Sequence, residues 1–299
     1  MLSMLAGAAL IAETAWVAPP GPGYPESIIV ESDGSITLSV VFGGKIFARN
    51  AIGQERVLAE LPGMQPGQPG FICLVRAADG KIYATAMRAR GEIWRIAEDG
   101  SAPTLIATLP AEAQPNGIAA IGRHGLIVGD NLAGLWHVDI AKGEGKRWLE
   151  HPLLTRNPGG QIPAANGVQA FGKWIYVTNS DRALLVKIGV RRDGRPGDVV
   201  IVSENVPGDD FALDRDGSAY VTTHPHNNVL KVGVRSAPTV FAGLSEKMAG
   251  PTSAVIATVD GQRWLYVAVD GEAFAAGGKP KSPPAIIRIA LPPAKENKK

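Results

Sequence analysis

Four oxygen-bearing side chains stand at comparable places along this chain: Glu26, Asn116, Asn166 and Asp209. Each opens or precedes a short apolar run, such as Gly117-Ile118, Gly167-Val168 or Phe211-Ala212-Leu213. Two carboxylates and two amides make a hard donor set. Such a set suits Ca²⁺, which takes about 6–8 oxygens near 2.3–2.6 Å. Softer metals find little support, because the chain has a single cysteine, Cys73, and no thiolate cluster can form. Asp210 lies beside Asp209, and His224 and His226 flank Pro225 a few residues on. A carboxylate or an imidazole there is the natural acceptor for a proton from water. One Asn-Gly pair alone reads as a turn; in phase with Glu26 and Asp209, the two pairs read as parts of one site.

The phase comes from a repeat. Units begin near positions 26, 72, 116, 166, 209 and 252. Each holds three short β-branched or aromatic runs parted by Gly and Asp turns, and a fourth run often follows, as at Thr104-Leu105-Ile106-Ala107. Four strands per unit of roughly 40–50 residues is the pattern of a propeller blade. The fold expected is therefore all-β: a six-bladed β-propeller of four-stranded blades around a central channel. No window sustains a helical period, which excludes bundles and doubly wound sheets. In such a ring the residue before each innermost strand sits at the channel mouth, so the four oxygen donors converge on the axis.

Three segments are expected. Residues 1–19 are an N-terminal segment, with a signal-like apolar run and then Thr14 to Ala18 completing the last blade beside Ile286 to Ala290. Residues 20–291 are a single propeller domain, and 292–299 a flexible tail. The apolar run lacks a basic start and is interrupted by Glu13, so export stays open, with the cytoplasm favoured. The run is too short to span a membrane. A net charge of +2 gives no nucleic-acid signal. No disulfide is possible, and no Gly-x-Ser-x-Gly elbow or P-loop occurs.

The motifs Pro25-Glu26, Pro115-Asn116-Gly117, Ala165-Asn166-Gly167 and Asp209-Asp210-Phe211-Ala212-Leu213-Asp214 resemble those of the SMP-30/gluconolactonase family, which includes diisopropyl-fluorophosphatase-type enzymes. The resemblance covers roughly residues 20 to 290. It implies a Ca²⁺-dependent hydrolase of lactones or related esters, with another divalent cation as an option. Glu26, Asn166 and Asp209 fall on the family's metal ligands, and Asn116 on an axial Asn that binds metal or substrate. Two departures weigh against a sugar lactone but not against the metal. Gln114 stands where sugar lactonases carry a substrate-binding Arg, and Asp209-Asp210 replaces an Asp-Gly.

Asp209, Asp210 and His224 are the expected catalytic residues, with Asp210 either base or outer neighbour. Asn116, Asn179, His226 and Arg88 are the expected substrate contacts. The expected partner is a small-molecule substrate, and the expected state a monomer. Two alternatives remain: a non-catalytic binding propeller with a structural ion, and a metal-independent enzyme of the strictosidine-synthase type.

Overall fold

The computed structural model describes residues 10–294 except positions 22, 66 and 235. The start of the apolar N-terminal run and the end of the basic tail lie outside the described residues. Six four-stranded antiparallel sheets form a ring, the six-bladed propeller expected from the repeat. Blade one runs Pro25–Val30, Ile36–Val40, Lys45–Arg49 and Glu55–Glu60. Blade two opens at Phe71–Arg76 and Ile82–Met87, blade three at Pro115–Ile121 and Gly125–Asp130. Blade four opens at Ala165–Phe171 and Trp174–Asn179, and blade five at Phe211–Leu213 and Ala219–Thr222.

Blade six closes the circle with chain from both ends. Pro251–Val259, Gln262–Val269 and Ala285–Ala290 are joined at their outer edge by Ala12–Val17. The closing strand pairs Ala12 with Ile289 and Val17 with Ala285. The N-terminal strand covers the outer edge that Ala285–Ala290 would otherwise expose, the kind of edge that invites pairing with another chain.

Local chemistry repeats with the blades. At the turns Asp33-Gly34, Asp79-Gly80, Asp99-Gly100 and Asp216-Gly217, each glycine has φ near +80°, a region open to Gly at no steric cost. Each aspartate accepts a hydrogen bond from the backbone N–H two residues on, at 2.9–3.0 Å. Those turns set hairpin register. Side chains alternate along the strands, and the buried ones gather into six apolar clusters along the ring. One cluster joins Ile46 and Leu58 to Leu74 and Ile82; another joins Trp16, Ile28 and Leu38 to Tyr266 and Ile286. Apolar burial at about 25 cal/mol per Å² is thus spread around the ring rather than held in one centre.

The feature that shapes the axis is a bulge. The innermost strands of blades one, two, three, four and six each slip register at their first residues, between Pro25 and Ser27, Phe71 and Leu74, Pro115 and Ile118, Ala165 and Val168, and Pro251 and Ser253. A bulge leaves a residue out of the ladder and re-aims its side chain. Glu26, Asn116 and Asn166 occupy such positions. In blade five Asp209 stands just before its short strand, its N–H bonded to Thr222 O at 2.8 Å.

A ring of hydroxyls holds the bulges. Ser39, Thr85, Thr178 and Thr222 lie at one phase of the second strands. Each accepts the N–H of its own blade's innermost segment, from Ser27, Cys73, Gly167 and Asp210 at 2.9–3.1 Å. Each then donates to a carbonyl of the next blade: Ile72 O, Asn116 O, Asp209 O and Thr252 O at 2.5–2.9 Å. Thr252 carries the link on to Pro25 O at 3.1 Å. In blade three the place is Gly129, where a Cβ would press on Ala165 O and Asn166 O. The hydroxyls satisfy backbone groups that the bulges orphan and tie each site residue to its neighbouring blade.

Candidate active site

The bulges deliver Glu26, Asn116, Asn166 and Asp209 to one pocket of about 250 Å³ on the ring axis, with His224 and His226 also in its wall. Tyr24, Phe42, Ile72, Met87, Ile162 and Phe274 make the remainder largely apolar. Asn166 Nδ2 donates to Asp209 Oδ1 at 2.7 Å and to Ser180 Oγ at 2.9 Å. Asn116 Nδ2 donates to Asn131 Oδ1 at 2.9 Å, and among the described residues its side-chain oxygen Oδ1 receives only a long contact of 3.5 Å from the Cys73 thiol. Both amides therefore spend their N–H groups on protein and keep carbonyl oxygens for something else. Among the described residues no hydrogen-bond donor engages the Glu26 carboxylate.

The electrostatics run the same way. Burial, then the charges of Asp210 and Asp270, raise Glu26 to about 8. Burial and the Glu26 charge hold Asp209 well above the usual carboxylate range, although His224 and Asn166 pull it back. Burial raises Asp210 to about 6 against the hydrogen bond from Ser253. Tyr24 is pushed up by burial and by Glu26, Asp270 and Asp209. Several carboxylates crowd a poorly solvated channel, and each disfavours the charge of the others.

A divalent cation fits this arrangement. Among the described residues no group of three or more His, Cys, Asp or Glu is placed to hold a metal, so a cation here depends on the asparagine carbonyls. Glu26, Asp209, Asn116 and Asn166 supply two charged and two neutral hard oxygens, the chemistry of a Ca²⁺ site. Bound positive charge would also relieve the repulsion that raises Glu26 and Asp209.

His224 is built in from behind. Its Nε2 lies 3.0 Å from Asp270 Oδ2, and its Nδ1 3.8 Å from Asp209 Oδ2. Burial acts to lower its pKa, but the Asp270 hydrogen bond and the Asp209 charge prevail and raise it. The Phe274 ring leans on the imidazole with centroids 5.1 Å apart, and Phe274 N–H donates to Asp270 Oδ2 at 2.9 Å. Asp270 is fully buried, and its Oδ1 has no hydrogen-bond partner among the described residues. Gly250, at φ +65°, backs that oxygen so closely that a Cβ would overlap it. Asp270, Phe274 and Tyr24 were not anticipated from the sequence. Asp270 and Phe274 follow the second strand of blade six, outside the repeated mouth position.

Other expected residues lie elsewhere. Asp210 faces away from the pocket: Ser253 Oγ donates to its Oδ2 at 2.7 Å, and it sits behind Glu26 as an interior charge. Strand alternation turns the neighbours Asp209 and Asp210 to opposite sides. This placement removes Asp210 from reach of a substrate as a base. Asn179 is fully buried, and its amide ties Leu153 O and Thr155 O at 3.0 Å each, so it braces a loop and does not line the pocket. Arg88 is paired with Glu92 at 2.8 Å and also bonds Pro62 O; it lines a separate surface depression with Gln114. His226 is exposed at the rim.

No family model matches the sequence. A search of curated proteins found no match. Solved structures do match in shape. A luciferin-regenerating enzyme superposes with a TM-score of 0.69 at 12% identity, over 96% of this chain and 97% of that one. A gluconolactonase from Xanthomonas campestris gives 0.68 at 14%, over 95% and 90%. A calcium-binding protein, regucalcin, from Agrobacterium tumefaciens gives 0.65 at 15%, over 94% and 93%. What they share with this chain at such identities is architecture. The chain has the six-bladed propeller fold of the gluconolactonase-like proteins.

Proposed function

We propose that this protein is a divalent-cation-dependent hydrolase of small lactones or related esters, acting at the propeller axis. The observation that carries the reading is the convergence of Glu26, Asn116, Asn166 and Asp209 on one pocket that also contains a histidine oriented by a buried carboxylate. Gluconolactonase and calcium-binding relatives in fold support it. Glu26, Asn166 and Asp209 would hold the cation, and Asn116 either the cation or the substrate. Bound there, a cation supplies Lewis acidity to an ester carbonyl and acidity to water.

The chain's own residues do the rest. With Nε2–H donated to Asp270 Oδ2, neutral His224 keeps the Nδ1 lone pair on the Asp209 side, facing the pocket. Nδ1 can take a proton from an attacking water and return it to the leaving alkoxide. Asp270 holds the imidazole in that tautomer and favours the imidazolium, the part a buried carboxylate plays behind a catalytic histidine. Phe274, Met87 and Ile72 thin the water around the reacting group, which strengthens every charge interaction there.

Two measurements test this. Metal content and lactone hydrolysis are compared with and without a chelator, for wild type and Asp209→Ala. Bound Ca²⁺ and chelator-sensitive turnover, both lost in the variant, are expected; hydrolysis indifferent to chelator and variant would refute the reading. His224→Ala is expected to lower kcat by roughly 10²–10⁴-fold with metal content retained. Asp270→Asn is expected to cost roughly 10–100-fold and to shift the acid limb of the pH profile downward, because the charge that raises His224 is gone.

A further inference from the structure

The axial pocket does not stand alone. A larger cleft of about 650 Å³ opens along the seam between blades six and one, and Tyr24, Phe42 and Phe274 line both. The cleft is floored by the closing strand and the segment after it, from Val17 to Gly21, and roofed by the blade-six insertion around Pro280 and Pro283. No charged side chain lines it among the described residues, and six of its lining residues are prolines. Proline has no backbone N–H to donate. A polyhydroxylated ligand there would lose hydration with few groups to replace it, at a cost of a few kcal/mol per unpaired hydroxyl. An apolar chain would lose nothing. Val17 and Phe274 line the same cleft and are 56% and 58% exposed, so apolar surface waits there for a cover.

Size makes the same division. At about 250 Å³ the axial pocket is below the roughly 300–1,000 Å³ of ordinary small-molecule sites, and suits a reacting group with little else. The cleft lies within that range.

We infer that the cleft is the subsite for an apolar arm of the substrate, so that the protein acts on lactones or esters bearing an alkyl or aryl substituent rather than on sugar lactones. The inference rests on the hydrolase reading for the reacting group and, for the arm, on the three side chains that line both cavities. The cavities adjoin at Tyr24, Phe42 and Phe274, and the arm would run past these rings toward Val17 with the reacting carbonyl among the axial oxygens.

The experiment uses the full chain with Ca²⁺ and a series of γ-lactones whose alkyl arm lengthens from methyl to decyl. Each added methylene is expected to raise kcat/KM by up to about fourfold until the cleft is filled. Two variants attack the cleft by different means. Val17→Asp puts a carboxylate into it. Gly21→Trp adds a large ring at the cleft's lining, from a glycine where a Cβ meets open space and whose φ is not in the left-handed region. Both are expected to flatten the dependence on arm length. Calorimetry with the matching γ-alkyl lactams, which the reaction does not consume, reads the cleft without turnover. Lactam affinity that rises with arm length in wild type and not in the variants supports the inference even if no lactone is hydrolysed, in which case the hydrolase reading alone fails. Cation-dependent turnover of the shortest lactone with no gain along the series overturns the inference and leaves the hydrolase reading intact. Lactam binding that is undetectable or independent of arm length, or a gain that persists unchanged in both variants, also overturns it.

Discussion

Blades two and four open with the same backbone and end in different chemistry. In both, the first strand slips register after its first residue, and a threonine on the second strand takes up the freed N–H. Thr85 accepts from Cys73 N at 3.0 Å and donates to Asn116 O at 2.7 Å. Thr178 accepts from Gly167 N at 2.9 Å and donates to Asp209 O at 2.6 Å. Yet blade two sends Ile72 into the pocket and blade four sends Asn166, whose amide is bonded to Asp209. Even the following residue differs in effect. The Cys73 thiol is held in its protonated form by burial and by Asp210, Glu26 and Asp209, whereas Gly167 leaves room for Asp210 to pack against it. The bulge and its hydroxyl are scaffold, and the identity of one side chain per blade decides which part of the mouth is polar and which is apolar.

That contrast can be broken most severely by copying one blade into the other. Asn166→Ile gives blade four the residue of blade two and removes both an oxygen and the hydrogen bond that orients Asp209. Calcium affinity by calorimetry is expected to fall by more than about a hundredfold, beyond the 10–100-fold that outer-shell partners usually carry. A smaller loss would mean that Asn166 is not a ligand.

The two threonines sharpen the comparison. Thr85→Val and Thr178→Val each orphan a buried N–H and a carbonyl, at about 1–3 kcal/mol of stability, read from denaturant unfolding. The stability costs are expected to be similar, while Thr178→Val weakens Ca²⁺ binding more than Thr85→Val, since the Thr178 hydroxyl fixes the backbone of the charged Asp209 and the Thr85 hydroxyl that of the neutral Asn116. Equal effects on calcium would show that the hydroxyl ring acts as one unit.

The mildest effect expected is on pH dependence. Folded carboxyls are raised to about 8 at Glu26 and about 6 at Asp210, against about 4 in an unfolded chain. The cation-free folded state therefore retains protons that the unfolded state has released. Its stability falls as pH rises from about 4 to about 8, and His224, also raised, acts in the same direction. A calcium ion held by these carboxylates, as proposed, would replace those protons and so should raise Tm more at pH 8 than at pH 5. A Tm increment independent of pH would disconnect the buried carboxylates from the ion.

Much of this geometry could be seen in the chain before any coordinates. Glu26, Asn116, Asn166 and Asp209 share one phase of a repeat, and a propeller converts phase into radial position. The same logic applied to the second strands finds Ser39, Thr85, Thr178 and Thr222, whose regular recurrence is visible once hydroxyls are sought as well as carboxylates. Asp270 escapes it, because its partner His224 belongs to blade five and the two meet only across a seam. Asn179 and Arg88 show the opposite error. Each follows or ends a second strand in a plausible place, yet Leu153, Thr155 and Glu92 claim their polar groups.

Periodicity, turn chemistry and one class of side chain at one phase were enough to specify six blades and four oxygens facing an axis, because those are properties of the local chain repeated. The register with which Ala12–Val17 pairs with Ala285–Ala290, the turning of Asp210 away from the pocket, the Asp270–His224 pair and the apolar cleft all involve residues far apart in sequence or on different blades. Only packing the blades against one another determines them, since each depends on which side chain of a neighbouring blade already fills the space.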